Sequence, residues 1–97
     1  MANVRFLPAA DQDYRDALAW YQARSARAAA GFEAAVEVAL QRIADNPELW
    51  PSCDEQHRFY VLRRYPYSII YRHDGGEIVV VAVAHSRRSP SYWQGRK

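Results

Sequence analysis

The segment Ile78-Val-Val-Val-Ala-Val-Ala84 is apolar without interruption, and it constrains the fold more than any other stretch of the chain. In a strand, successive side chains point to opposite faces. Val79, Val81 and Val83 then face one way, and Ile78, Val80, Ala82 and Ala84 the other. A sheet with one solvated face alternates apolar and polar residues, and this segment does not. Phe59 and Val61 opposite Tyr60 and Leu62, and Ile69 opposite Ile70, continue the trend. Both faces of the sheet therefore need a cover. One face can take helices; the other calls for a partner chain or for strong twist together with a connecting segment.

The remaining elements follow from periodicity and punctuation. Val4 to Leu7 reads as a first strand stopped by Pro8, and proline suits the first helical position, where the missing N–H is no loss. Apolar residues at Ala10, Tyr14, Ala17, Leu18 and Tyr21 form the stripe of a helix over 8–24, with Asp11 and Asp13 at the positive end of its dipole. Ser25 suits the N-cap of a second helix, whose stripe is Ala28, Phe32, Ala35, Val36, Ala39, Leu40 and Ile43 and which Asn46-Pro47 ends. The short link predicts an antiparallel helical hairpin. Residues 47–57 form a connector, with Leu49 and Trp50 expected to tuck back onto the helices. Strands follow at about 58–64, 67–73 and 77–85; Tyr65-Pro66 links the first pair and Asp74-Gly75-Gly76 makes a tight hairpin of the second. The expected fold is α+β, β-α-α-β-β-β, with the hairpin packed on one face of a small antiparallel sheet.

A chain of 97 residues has room for one core, so one domain over 1–97 is expected. Cys53 is the only cysteine, which excludes an intrachain disulfide and fits a reducing cytoplasm. The start shows no secretory signal, and no apolar run is long enough to span a bilayer. His57, His73 and His85 are scattered and no cysteine pair exists, so no metal site is expected; no glycine-rich phosphate loop or nucleophile motif is present, and no cofactor is implied.

Charge is strongly polarised. Residues 58–97 hold eight Arg/Lys against two acids, a net of +6, while residues 1–57 hold five Arg against nine acids, a net of −4. A basic, aromatic-laced sheet suits nucleic acid or an acidic protein. A metal-free ribonuclease needs a base, cations for the phosphate and an acid for the leaving oxygen. His85, Arg63, Arg64, Arg72, Arg87, Arg88 and Tyr92 supply such a set only if they converge; taken singly, they read as strand-end and turn residues, with Tyr92-Trp93 as a hydrophobic plug.

Several motifs in this order resemble the RelE/ParE family of bacterial type II toxins. They are Ala19-Trp20-Tyr21, Ile43-Ala-Asp-Asn-Pro47, Leu62-Arg-Arg-Tyr-Pro-Tyr-Ser-Ile-Ile-Tyr71 and Val83-Ala-His-Ser-Arg-Arg-Ser-Pro-Ser-Tyr-Trp93. The RelE-like branch cleaves mRNA on the ribosome, using two lysines on the strand before the central hairpin and an arginine in a Tyr-Arg-x-x-Tyr element. Here Phe59 and Val61 fall near the lysine positions and Ser68 at the arginine position, leaving Arg87 and Tyr92 as counterparts. Loss of one preorganised donor costs roughly 3–4 kcal/mol of transition-state stabilisation. The pattern is closer to the ParE-like branch, which poisons DNA gyrase by binding it. Leu7 also replaces the Ser/Thr usual before the first-helix proline, which removes a side-chain cap worth about 1 kcal/mol.

The resemblance implies a cytoplasmic gyrase inhibitor neutralised by a cognate antitoxin, whose acidic or amphipathic tail would lie over the sheet face. Direct nucleic-acid binding is expected only through the antitoxin, and no membrane is involved. Arg63, Arg64, Arg72, Arg87, Arg88, Tyr92 and Trp93 are the expected contact residues. The alternatives are a ribosome-dependent mRNA endonuclease built on His85, Arg87, Arg64 and Tyr92, and a non-toxic module that only binds its antitoxin.

Overall fold

A computed structural model describes residues 2–97. Strand β1 (Asn3–Phe6) leads into helices α1 (Pro8–Gln22) and α2 (Ala26–Asp45), followed by β2 (Arg58–Val61), β3 (Tyr67–Asp74), β4 (Glu77–His85) and a 3-10 turn at Pro90–Tyr92. The sheet order is β1-β4-β3-β2. The last three strands form the expected antiparallel meander. β1 returns beside β4 in parallel, so the α+β fold has a mixed sheet and the apolar β4 lies inside it.

The local signals act as their chemistry dictates. Ser25 Oγ accepts the Ala28 N–H at 3.1 Å and opens α2. Gly75 and Gly76 hold φ of 52° and 83°, the left-handed pair that a two-residue hairpin turn requires. Leu7 occupies the N-cap of α1, where its hydrocarbon side chain offers no acceptor and is buried in the core instead. Ala10 and Ala17 of α1 and Phe32, Val36, Ala39 and Ile43 of α2 face the sheet.

Strict alternation along β4 is broken. Ile70 pairs with Ala82 but Tyr71 with Val80, so Val81 is an extra residue, a β-bulge. Cross-strand partners share a face. Val83 and Ile69 therefore share the helical side with Val80 and Tyr71, while Ala82 and Ile70 share the other. The simple division into odd and even positions fails because the bulge shifts the phase by one.

The chain covers the second face itself. Trp93 is only 4% exposed and lines a shallow cavity with Phe59, Ser68, Ile70 and Ala84. The His57 ring meets the Trp93 ring edge-on at 5.2 Å. Connector and C-terminal segment thus take the place of the partner chain considered for this face. On the other side Trp50 packs on Tyr60 at 4.7 Å, and Tyr71 Oη donates to Pro47 O at 2.7 Å. Leu49 does not tuck in; it is 65% exposed.

β1 flanks β4 only as far as Val80. Beyond it, side chains complete the edge. Val83 N–H donates to Asp13 Oδ2 at 3.1 Å, Arg96 Nη1 donates to Val81 O at 3.0 Å, and Tyr92 Oη donates to Val83 O at 3.4 Å. Asp13 and Arg96 are themselves paired at 2.7 Å. Asp13 therefore serves the sheet edge rather than only the dipole of α1.

Candidate functional site

The β2–β3 turn and the segment after β4 meet at one end of the sheet. Tyr67 pairs with His85, and Ser86 N–H donates to Pro66 O at 2.8 Å. Arg63, Arg64, Arg87 and Arg88 are thereby gathered at this end, all exposed. Among the described residues none of the four has an acidic partner, whereas Arg5, Arg15, Arg58, Arg72 and Arg96 each do. Arg64 adopts φ 71°, a left-handed conformation that side chains disfavour.

Arg72 is separated from this group. It sits toward the hairpin end of β3, about 16 Å along the strand from Tyr67, and its Nε donates to Asp74 at 2.9 Å. Trp93, expected among the contact residues, is buried over the second face and only 4% exposed. Phe59 and Ser68 line the covered second face, whereas Val61 is 59% exposed.

His85, Arg88 and Tyr92 do converge, around a cleft of about 160 Å³ with Trp20 and Tyr67. Arg64 does not line it, and two carboxylates, Asp13 and Asp16, do. His85 Nδ1 accepts the Arg87 N–H at 3.1 Å. In the neutral ring the proton then lies on Nε2, which leaves no free lone pair to accept a proton from a 2′-hydroxyl. The Tyr92 ring lies between two guanidiniums, with Arg88 4.0 Å and Arg96 4.9 Å from its centroid. Burial pushes its phenol up to about 12, with Asp13 adding to the rise and Arg96 and Arg88 opposing it. A phenol that weakly acidic is poorly matched to donating a proton near neutral pH.

Sequence reasoning missed several residues. Trp20 is 51% exposed at the cleft, with the Arg24 guanidinium stacked 3.6 Å above its ring. A second flank of α2, Gly31, Ala34, Ala35, Val38 and Arg42, meets Tyr60, Arg63, Arg64 and Tyr65 across a groove of about 290 Å³. Its helical spacing is visible in the sequence, but the stronger stripe through Phe32 and Val36 masks it. Among the described residues no three His, Cys, Asp or Glu side chains cluster as metal ligands, and no helix is long and apolar enough to cross a membrane.

Residues 4–90 match the family described as ParE toxin of type II toxin-antitoxin system, parDE. A solved structure, the chromosomal ParDE TA system from P. aeruginosa, shares the fold with a TM-score of 0.64. It is 19% identical, and the match covers 88% of this chain and 96% of that one. No curated protein sequence matches the chain.

Proposed function

The chain belongs to the ParE toxin family of type II toxin–antitoxin systems, and from that membership we propose that it inhibits DNA gyrase by docking on it. It breaks no bond, acts in the cytoplasm, and is neutralised by a cognate antitoxin. The supporting observation is the unbalanced basic end of the sheet, where Arg63, Arg64, Arg87 and Arg88 have no acidic partner among the described residues. Such a patch gains specificity and association rate from a partner that supplies carboxylates. Nucleic acid is met only through the antitoxin.

The neighbouring cleft favours docking over RNA cleavage. A cleaving site needs a free base, an acid of suitable strength and cations on the phosphate. Here the lone pair of the neutral His85 ring is taken, the Tyr92 phenol is held near 12, and the Asp16 carboxylate opposes an approaching phosphate.

The test is a gyrase supercoiling assay with purified protein, run beside a translating extract. Supercoiling should stop while mRNA stays intact, and Arg87→Glu/Arg88→Glu should restore supercoiling. Codon-dependent mRNA cleavage with normal supercoiling would transfer the reading to a ribosome-dependent endonuclease. Normal growth on expression without antitoxin would leave only an antitoxin-binding module.

A further inference from the structure

Of the tryptophan, tyrosine and phenylalanine side chains, Trp20 alone is exposed. It stands on α1 four residues after Asp16 and three after Ala17, so the three share one face of the helix. That face is one wall of the cleft at the end of β4, and Tyr67, Val83, Arg88 and Tyr92 complete it. The indole is held in place. The Arg24 guanidinium lies 3.6 Å above the ring and donates from Nη1 to the Trp20 carbonyl at 2.9 Å. Tyr21 meets the ring edge-on at 5.0 Å and is itself stacked on buried Phe32 at 5.1 Å. A side chain fixed before binding loses little rotamer freedom when a partner covers it.

Size and charge limit what can enter the cleft. At about 160 Å³ it falls below the roughly 300–1,000 Å³ of small-molecule and cofactor sites, and suits a single side chain instead. Buried Ala17 and Val83 give it an apolar lining. Asp13 is neutralised by Arg96. Asp16 accepts only from the neutral Gln12 amide, at 2.8 Å, and has no cationic partner among the described residues. Arg88, on the Tyr92 ring, has no acidic one. An entering anion is therefore repelled by Asp16 and an entering cation by Arg88. An uncharged apolar side chain meets neither penalty.

We infer that Trp20 anchors the gyrase-docking surface, and that the cleft beside it receives one apolar side chain projecting from an acidic patch of gyrase. The inserted group packs against Trp20, Ala17 and Val83, while carboxylates around it meet Arg87 and Arg88. The charge outside the cleft selects the patch: unpaired guanidiniums at this end of the sheet favour an acidic surface and repel a basic one. Tryptophan, tyrosine and arginine side chains desolvated at the centre of an interface carry most of its binding energy. Trp20 stands beside both of the other types, with Tyr92 and Arg88 lining the same cleft. The inference deepens the gyrase reading and rests on it.

The test is gyrase supercoiling measured against a titration of the full chain. Trp20→Ala should raise the concentration for half-inhibition by roughly tenfold or more, and Trp20→Phe, which keeps a ring, by no more than about threefold. Circular dichroism must show each variant folded. Should Trp20→Ala fail to fold, Arg24→Ala, which frees the indole, should raise the concentration by about threefold or more. Leu49→Ala removes another exposed apolar side chain, away from the cleft, and should stay within about twofold of the unaltered chain. A folded Trp20→Ala chain that inhibits as the unaltered one does overturns the anchor while leaving the gyrase reading intact. So does a loss in Leu49→Ala as large as that in Trp20→Ala. If Trp20→Ala keeps its inhibition but binds the cognate antitoxin more weakly in calorimetry, the cleft belongs to the antitoxin and the inference is likewise overturned. Failure of the unaltered chain to inhibit gyrase overturns both.

Discussion

Asp13→Ala should be among the most damaging single changes outside the apolar core. The carboxylate accepts the Val83 N–H and pairs with Arg96, 70 and 83 residues away in sequence. Val83 is buried, and an unpaired buried N–H costs about 1–3 kcal/mol. The Asp13 and Arg96 side chains are 13% and 18% exposed, so the freed guanidinium can turn partly to water. That lowers its share from the 3–5 kcal/mol of a fully buried broken pair to about 1. The sum is about 2–4 kcal/mol, or roughly 10–25 °C in Tm for a domain of this size. Urea unfolding followed by circular dichroism measures it as a fall in midpoint at constant slope. Arg96→Met should cost a similar amount, about 2–4 kcal/mol, because the buried Val81 C=O loses its donor and Asp13 its cation, although Asp13 keeps the Val83 N–H. The double mutant should show a coupling of about 1 kcal/mol or more. An Asp13→Ala protein within about 0.5 kcal/mol of the unaltered chain, or a coupling near zero, would refute the claim that side chains complete the β4 edge.

Three further outcomes follow from the same structure. Arg64→Gly should stabilise the fold by about 0.5–1 kcal/mol, because relief of the left-handed strain outweighs the extra freedom of the unfolded glycine; a lower melting temperature would contradict it. Gly31→Ala should destabilise by about 1–2 kcal/mol despite better helix propensity, because the new Cβ collides with the Tyr65 hydroxyl, and Tyr65→Phe in the same chain should recover most of the loss. Burial pushes the Tyr71 and Tyr92 phenols up to about 12 from 10.0, so the folded state holds these protons more tightly. Their contribution to stability is full below pH 10 and lost as pH rises from 10 to about 12. An absorbance titration should show these two ionising last, together with unfolding; ionisation of both near 10 with the fold intact would exclude the burial described.

The elements were legible because their signals are local. Ser25 caps α2, Asn46-Pro47 ends it, and Gly75-Gly76 turns the hairpin, each within a few residues of the element it bounds. The uninterrupted apolar run correctly required cover on both faces of β4. The connector and a Tyr92-Trp93 plug were both among the readings, but that they meet over this face was not legible, since a tryptophan at 93 closing over Phe59 and Ile70 leaves no periodic trace. The bulge at Val81 is equally silent, because a run of valines reads the same in either phase. Asp13 matched a helix-dipole pattern yet also bonds a strand far along the chain. At the site, strand order carries both the grouping of Arg63, Arg64, Arg87 and Arg88 and the separation of Arg72, which stands beside the Asp74-Gly75-Gly76 hairpin at the other end of β3. The His85 lone pair was hidden because a backbone N–H two residues away engages it, a matter of torsions rather than residue types.

Growth arrest by variant chains expressed without antitoxin separates docking from catalysis most directly. His85→Asn, which keeps an acceptor for the Arg87 N–H, and Tyr92→Phe, which keeps the ring between Arg88 and Arg96, each remove a group that cleavage would need. Both should remain toxic, while Arg87→Glu/Arg88→Glu, folded by circular dichroism, should lose toxicity. Loss of arrest on both His85→Asn and Tyr92→Phe, in chains that circular dichroism shows folded, would contradict a docking toxin and identify a catalytic one.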